Sequence, residues 1–245
     1  MKESPATVIE TAAAKAPAIE APAIEARGVG RTLPGPVPVT LVRDVDLTIA
    51  TGSFCTIIGP SGSGKSSLLY LLGLLDRPTE GEILLDGTAT GDLDEGDLAR
   101  IRLTKLGFVF QFHFLLPEFT VLGNVMIPMR RLARIDEEAR HARAAELLAS
   151  LGLESEGAKR PDQLSGGQRQ RVAVARALAN DPAIVLADEP TGNLDTHNAD
   201  IVFEIFAALA HEEGKTVVAV THNAELAARA GRRIEIVDGR ITDSG

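Results

Sequence analysis

Tryptophan is absent from this 245-residue chain, and cysteine and tyrosine occur once each, as Cys55 and Tyr70. A single cysteine excludes an intramolecular disulfide framework and a cysteine-rich zinc site. Basic residues are in deficit: 25 Lys and Arg stand against 34 Asp and Glu, a formal net charge of −9. Non-specific nucleic-acid binders carry a basic footprint, so nucleic acid is not an expected partner. Long apolar runs are missing too. No stretch approaches the roughly 18 consecutive apolar residues that read as a transmembrane helix, so the chain is not expected to cross a bilayer by itself. A secretory signal needs a basic start and then about 7–15 continuous apolar residues. Glu3, Glu10 and Pro17 interrupt any such run, and the chain reads as cytoplasmic.

What is present suits a folded core: 44% of residues are hydrophobic and 24% charged. The length fits one large domain or a domain with an inserted subdomain. Residues 1–23 are mostly Ala, Pro, Glu and Lys, and Ala16-Pro17-Ala18-Ile19-Glu20 recurs as Ala21-Pro22-Ala23-Ile24-Glu25. This segment reads as a disordered low-complexity tail, with a short docking segment as the other reading. Strand-like and helix-like stretches alternate from about Ile24 onward. Residues 39–49, 52–58, 81–85 and 106–110 read as strands. The short apolar runs 184–187 and 216–220 suit buried parallel strands. Helices are expected over 66–73, 136–151, 165–179 and 199–214, with Ala145, Leu148 and Leu151 on one apolar face. The alternation argues an α/β fold with a mainly parallel sheet. Pro34-Gly35-Pro36, between the opening strands, suggests an added antiparallel part. Residues 112–164 lack convincing strands and read as a helical insertion.

Gly59-Pro60-Ser61-Gly62-Ser63-Gly64-Lys65-Ser66 fits G-x-x-x-x-G-K-[ST] without a gap. An apolar run precedes it and a helical stretch from Ser67 follows, which is the strand–loop–helix context the motif requires. Glycines let backbone N–H groups converge on phosphate oxygens, and the helix N-terminus adds its dipole. Lys65 supplies positive charge to the phosphates, and the Ser66 hydroxyl can ligate Mg²⁺. A second cluster, Asp188-Glu189-Pro190, ends the apolar run 184–187, where α/β sheets place ligands. Asp188 is the candidate metal carboxylate and Glu189 the candidate for polarising a water. Ser165-Gly166-Gly167-Gln168 opens a helix, with S-x-x-Q spacing suited to a capping box. Such a helix start can bind an anion. One chain already holds a complete phosphate loop, so the simplest arrangement is a head-to-tail pair in which each subunit completes the other's site.

In this order the motifs resemble those of the ATP-binding cassette (ABC) ATPases, over about residues 24–241. Residues 59–66 match that family's Walker A motif, 184–189 its Walker B, and 164–168 its signature motif. Gln111, after Phe108-Val109-Phe110, resembles the Q-loop glutamine, which senses Mg²⁺ and the transmembrane partner. Asn193-Leu194-Asp195 resembles the D-loop at the dimer seam. His222 resembles the switch histidine that contacts the γ-phosphate, and Glu189 corresponds to the catalytic glutamate. His113, His141, His197 and His211 match no motif and read as structural or solvated. The resemblance implies a P-loop NTPase (RecA-like) core with an antiparallel β-subdomain and a helical subdomain inserted at about 112–180. It implies ATP and Mg²⁺ as cofactors, a homodimer of ATPase subunits, and a permease that holds the chain at the cytoplasmic membrane face.

Residues 59–65, 73–81, 108–111 and 187–195 closely resemble those of the lipoprotein-release, macrolide-export and cell-division ATPases (the LolD, MacB and FtsE group). That points to a MacB/FtsX-like permease. The work would be export, lipoprotein, lipid or peptide extraction, or mechanical signalling. Control of a cell-wall hydrolase through an FtsX-like partner without solute transport stays open. The region 112–129 is expected to be either a docking surface for the permease or internal core. The chain departs from the family in one place: where an aromatic usually stacks on adenine, it has Leu33 or a neighbour.

Overall fold

The computed structural model describes residues 21–244. The expected tail at 1–23 lies outside the described residues as far as residue 20. Ala23, which composition assigned to that tail, is 2% exposed, and its carbonyl accepts from the Asp86 N–H at 3.2 Å. It belongs to the same buried apolar cluster as Ile24, so its surroundings and not the composition of the preceding segment decide its place.

In chain order the first elements are β1 (Ile24–Leu33), β2 (Val39–Ile49), β3 (Phe54–Ile58), α1 (Lys65–Leu72), β4 (Glu80–Leu85) and β5 (Thr88–Ala89). There follow α2 (Glu95–Lys105), β6 (Leu106–Phe110), α3 (Val121–Leu132), α4 (Glu137–Ser150) and α5 (Gly166–Leu178). The last are β7 (Ile184–Asp188), α6 (Thr196–His211), β8 (Thr216–Val220), α7 (Ala224–Ala227), β9 (Arg232–Val237) and β10 (Arg240–Ser244). β1 and β2 form an antiparallel hairpin closed by Leu33 opposite Val39. The intervening Pro34-Gly35-Pro36 cannot extend the ladder, because proline has no N–H to donate. With β4 and β5 the hairpin makes a four-stranded sheet ordered β2-β1-β4-β5. The second sheet runs β10-β9-β3-β8-β7-β6, parallel except for β10. The fold is that of a P-loop NTPase with an added antiparallel sheet.

Every residue of β7 and β8 is buried, which is why both read as unbroken apolar runs. Ile184 and Leu186 face a core shared with Leu68 and Leu71 of α1, whereas Val185 and Ala187 face one shared with Val172 of α5 and Phe206 of α6. Burying each Val, Leu, Ile or Phe among them is worth about 1.5–3 kcal/mol. The register then places the working loops. Phe110 stands opposite Asp188, Asp188 opposite Val220, and Val220 opposite Ile57. Four segments leaving β3, β6, β7 and β8 therefore emerge along one edge of the sheet.

Several details differ from the sequence expectation. The buried face of α4 is Ala144, Leu147 and Leu148, followed by Leu151; Ala145 is exposed. That set has 3, 4 and 7 residue spacing, a stripe that follows the helical turn better than a strict step of three. α2 carries a single buried residue, Leu98, and so left no apolar period to read. The β9–β10 hairpin turns at Asp238 and Gly239, both at positive φ (49° and 81°), as a two-residue turn demands. Residues 112–129 divide between the two expectations. Val121, Val125, Met126 and Met129 are core, whereas Phe112, Phe114, Leu116 and Phe119 are exposed.

Candidate active site

The loop between β3 and α1 is held by contacts that tolerate only glycine at two positions. Gly59 and Gly64 have φ of 149° and 101°; a Cβ would lie 2.1 Å from the Ile236 carbonyl oxygen in the first case and 2.3 Å from that of Leu41 in the second. Lys65 opens α1, is 8% exposed, and its Nζ donates to the carbonyls of Gly59 (3.0 Å) and Pro60 (2.8 Å). The ammonium is thereby held over the loop and away from solvent. Ser66 and Ser67 follow in the first turn of α1, where backbone N–H groups and the helix dipole favour an anion.

Asp188, the last residue of β7, is 9% exposed. Ser66 Oγ donates to its Oδ1 at 2.7 Å, and the Tyr70 hydroxyl donates to its Oδ2 at 2.7 Å. Ser66 and Tyr70 are four residues apart and so share one face of α1. Burial and the bond to Asp188 push the Tyr70 phenol up to about 12, which keeps it protonated and donating. Among the described residues no three His, Cys, Asp or Glu side chains gather as a metal cluster. A hydroxyl beside one carboxylate, at the edge of a phosphate loop, is nevertheless a donor set that fits Mg²⁺. That ion binds through one or two carboxylates, substrate phosphates and retained waters.

Glu189 follows at φ 48°. A left-handed conformation costs a non-glycine residue roughly 1–2 kcal/mol. Two bonds hold it: its N–H donates to the Val220 carbonyl at 3.0 Å, and its carbonyl accepts from the Gly192 N–H at 3.0 Å. The turn separates the two acids. The Asp188 carboxylate is tied to α1, while Glu189 Oε2 is bonded to His222 Nδ1. Gln111 Nε2 donates to Asn193 Oδ1 at 3.4 Å, tying the segment after β6 to the one after β7.

These groups converge on a cavity of about 440 Å³ lined by Ser61, Gly62, Gly64, Lys65, Ser66, Ser67, Gln111, Glu189 and His222, with Leu41. Gly59, Pro60 and Ser63 belong to the loop but not to the lining, and Asp188 reaches the site through Ser66. Ser165, Gly166, Gly167 and Gln168 are not part of this lining. They form the start of α5, where Ser165 Oγ accepts from the Gln168 N–H (3.2 Å) and Gln168 Oε1 accepts from the Ser165 N–H (2.9 Å). That is the expected capping box. No Phe, Tyr or Trp lines the cavity, and Leu33 sits 38% exposed at the hairpin end, outside it.

The sequence model of the family described as "ABC transporter" matches residues 42–192, which include the phosphate loop, Gln111, the start of α5 and both acids. The chain belongs to the ABC transporter family. Among curated relatives of this ABC ATPase, a lipoprotein-releasing system ATP-binding protein LolD from Anaeromyxobacter dehalogenans is 53% identical over 86% of this chain and 88% of its own. The protein named LolD 1 from Chlorobium chlorochromatii is 49% identical, with 82% of each chain covered. A solved dimer of the cassette MJ0796, in a post-hydrolysis state bound to ADP and Pi, superimposes with a TM-score of 0.85 at 43% identity. The match covers 91% of this chain and 97% of that one. Among the described residues of this ABC ATPase no helix is long and apolar enough to cross a membrane.

Sequence reasoning missed two lining or supporting residues of the ABC ATPase site. Tyr70 was read only as a helix residue, although its spacing of four from Ser66 was a usable signal. Leu41 gave no signal, because only the packing of the antiparallel sheet against the phosphate loop brings it there.

Proposed function

We propose that two copies of this chain close around two MgATP molecules and drive a membrane permease that releases lipoproteins. The convergence of Lys65, Ser66, Glu189 and His222 on one cavity, with the Ser165–Gln168 helix start outside it, carries the two-chain reading. The names of its half-identical relatives support the cargo. In this scheme the loop amides and Lys65 bind the phosphates, and Ser66 and Asp188 hold Mg²⁺ while Gln111 senses it. The ion, when bound, neutralises charge on the phosphate oxygens. Glu189 polarises the attacking water and takes its proton, and His222 steadies the γ-phosphate. Ser165, Gly166, Gly167 and Gln168 of each subunit act on the ATP of the other.

The permease, MacB/FtsX-like in the proposal, would seat a cytoplasmic segment in a groove of about 450 Å³ lined by Phe108, Phe110, Phe114 and Leu116 and flanked by Arg131 and Arg176. Phe112 (64% exposed) and Phe114 (63%) continue this apolar surface, of the kind that marks a protein-binding site. Such docking would hold the chain at the cytoplasmic face. The test is reconstitution of the chain with its co-purifying permease in lipoprotein-loaded vesicles. ATP should release the lipoprotein to a soluble acceptor, and Glu189→Gln should stop release. Release that proceeds unchanged without ATP would overturn the proposal.

A further inference from the structure

The Mg²⁺ carboxylate has a second donor that no motif of the site includes. Asp188 is buried, and each of its oxygens holds one hydroxyl: Oδ1 that of Ser66, Oδ2 that of Tyr70, both at 2.7 Å. The two donors project from one face of α1, so a single rigid element grips both ends of the carboxylate. The Tyr70 ring is itself fixed. It packs edge-on against Phe110, with ring centroids 6.5 Å apart and planes at 66°. Phe110 in turn stacks on Phe108 at 6.0 Å and stands opposite Asp188 in the sheet register. Phe110, on the strand adjoining Asp188, thus limits movement of the tyrosine ring on that side.

We propose that Tyr70 is a positioning residue for the cation: its hydroxyl, braced by Phe110, holds Asp188 so that Oδ1 is presented beside Ser66. This rests on the reading that Ser66 and Asp188 hold Mg²⁺. The role follows from the chemistry of the pair. The Ser66 oxygen can offer a lone pair to a cation while its O–H still donates to Oδ1. Tyr70 is the donor on the other oxygen, Oδ2, and with both oxygens held the carboxylate plane is kept from rotating. Partners of this outer kind orient a metal ligand, and their loss typically costs about 10–100-fold in metal affinity or activity. Without the hydroxyl, Oδ2 becomes a buried acceptor with no partner, and the carboxylate relieves that by turning away from the arrangement the cation needs.

The experiment measures equilibrium binding of a fluorescent ATP analogue by the full chain, first in EDTA and then across a Mg²⁺ titration. Wild type, Tyr70→Phe, Tyr70→Leu and Ser66→Ala are compared, each with its thermal midpoint. Tyr70→Phe keeps the ring and the packing and removes only the hydroxyl. The half-saturating Mg²⁺ concentration should rise about 10–100-fold in Tyr70→Phe, with binding in EDTA unchanged. Ser66→Ala should shift in the same direction. Three results overturn the proposal: a Tyr70→Phe titration that superimposes on wild type, a lower half-saturation, or an equal loss with and without Mg²⁺. The last would make Tyr70 a packing residue, as would a defect confined to Tyr70→Leu. The underlying reading fails separately. If wild-type binding is indifferent to Mg²⁺, or Ser66→Ala leaves the titration unmoved, the cation site itself is misassigned and the role of Tyr70 falls with it.

Discussion

Replacing Glu189 with glutamine removes one chemical capability and little else. The amide has nearly the shape of the carboxylate, but it cannot accept the proton of an attacking water. The side chain is 19% exposed, and the bonds that place it belong to its backbone, from N–H to Val220 and from carbonyl to Gly192. Neither changes on substitution, and the amide can still pair with His222 Nδ1. The loss should therefore fall on the chemical step. A positioned general base contributes about 10²–10⁴ in rate. At about 1.36 kcal/mol per tenfold, that is about 2.7–5.4 kcal/mol of barrier. Stability should move by no more than about 0.5 kcal/mol, or roughly 1–2 °C in the midpoint of a chain this size. The hydrogen bonds of Lys65 and Ser66 go to Gly59, Pro60 and Asp188 and not to Glu189, so ATP affinity should stay within about threefold, less than about 1 kcal/mol. The assay pairs single-turnover phosphate release with equilibrium nucleotide binding and gel filtration in ATP. The variant should bind ATP, accumulate as a dimer and release phosphate at most at a hundredth of the wild-type rate. Phosphate release within threefold of wild type would refute the assignment of Glu189 as base.

Because Ser165–Gln168 lies outside the cavity of its own chain, mixing Ser165→Arg with Glu189→Gln should recover activity that neither variant has alone. The mixed dimer keeps one unlesioned composite site; specific activity flat with concentration and no rescue on mixing would count against a shared site. With Leu41 and no Phe, Tyr or Trp in the lining, ATP and GTP should bind with similar affinity. Leu33→Tyr, which extends a longer side chain from the hairpin end, should tighten ATP by up to about tenfold, since an aromatic pair is worth roughly 0.5–1.5 kcal/mol; titration of both nucleotides into both proteins checks it, and no gain would count against a base-stacking place there. On α4, Ala144→Glu buries an unpaired carboxylate and should lower the urea midpoint well beyond error, whereas Ala145→Glu, on the exposed side, should stay within about 0.5 kcal/mol.

The sequence by itself determined the parts of this protein whose physics is local. A phosphate loop is legible because its glycines, lysine and serine act within eight consecutive residues, and the backbone they shape is the binding surface. β7 and β8 are legible because strands buried on both faces must be apolar throughout, and the capping box at Ser165 and Gln168 because both partners lie in one turn. Contacts between distant segments were decided by tertiary structure alone. The parallel register brings Gln111, Glu189 and His222 to one edge, and no local pattern encodes that alignment. The face of α4 was misassigned at Ala145 because alanine is nearly neutral to burial, so neighbouring helices choose which alanine they cover. Tyr70 meets Asp188 across 118 residues of chain. Its helix position could be read, but which carboxylate stood opposite became definite only when β7 was laid beside α1.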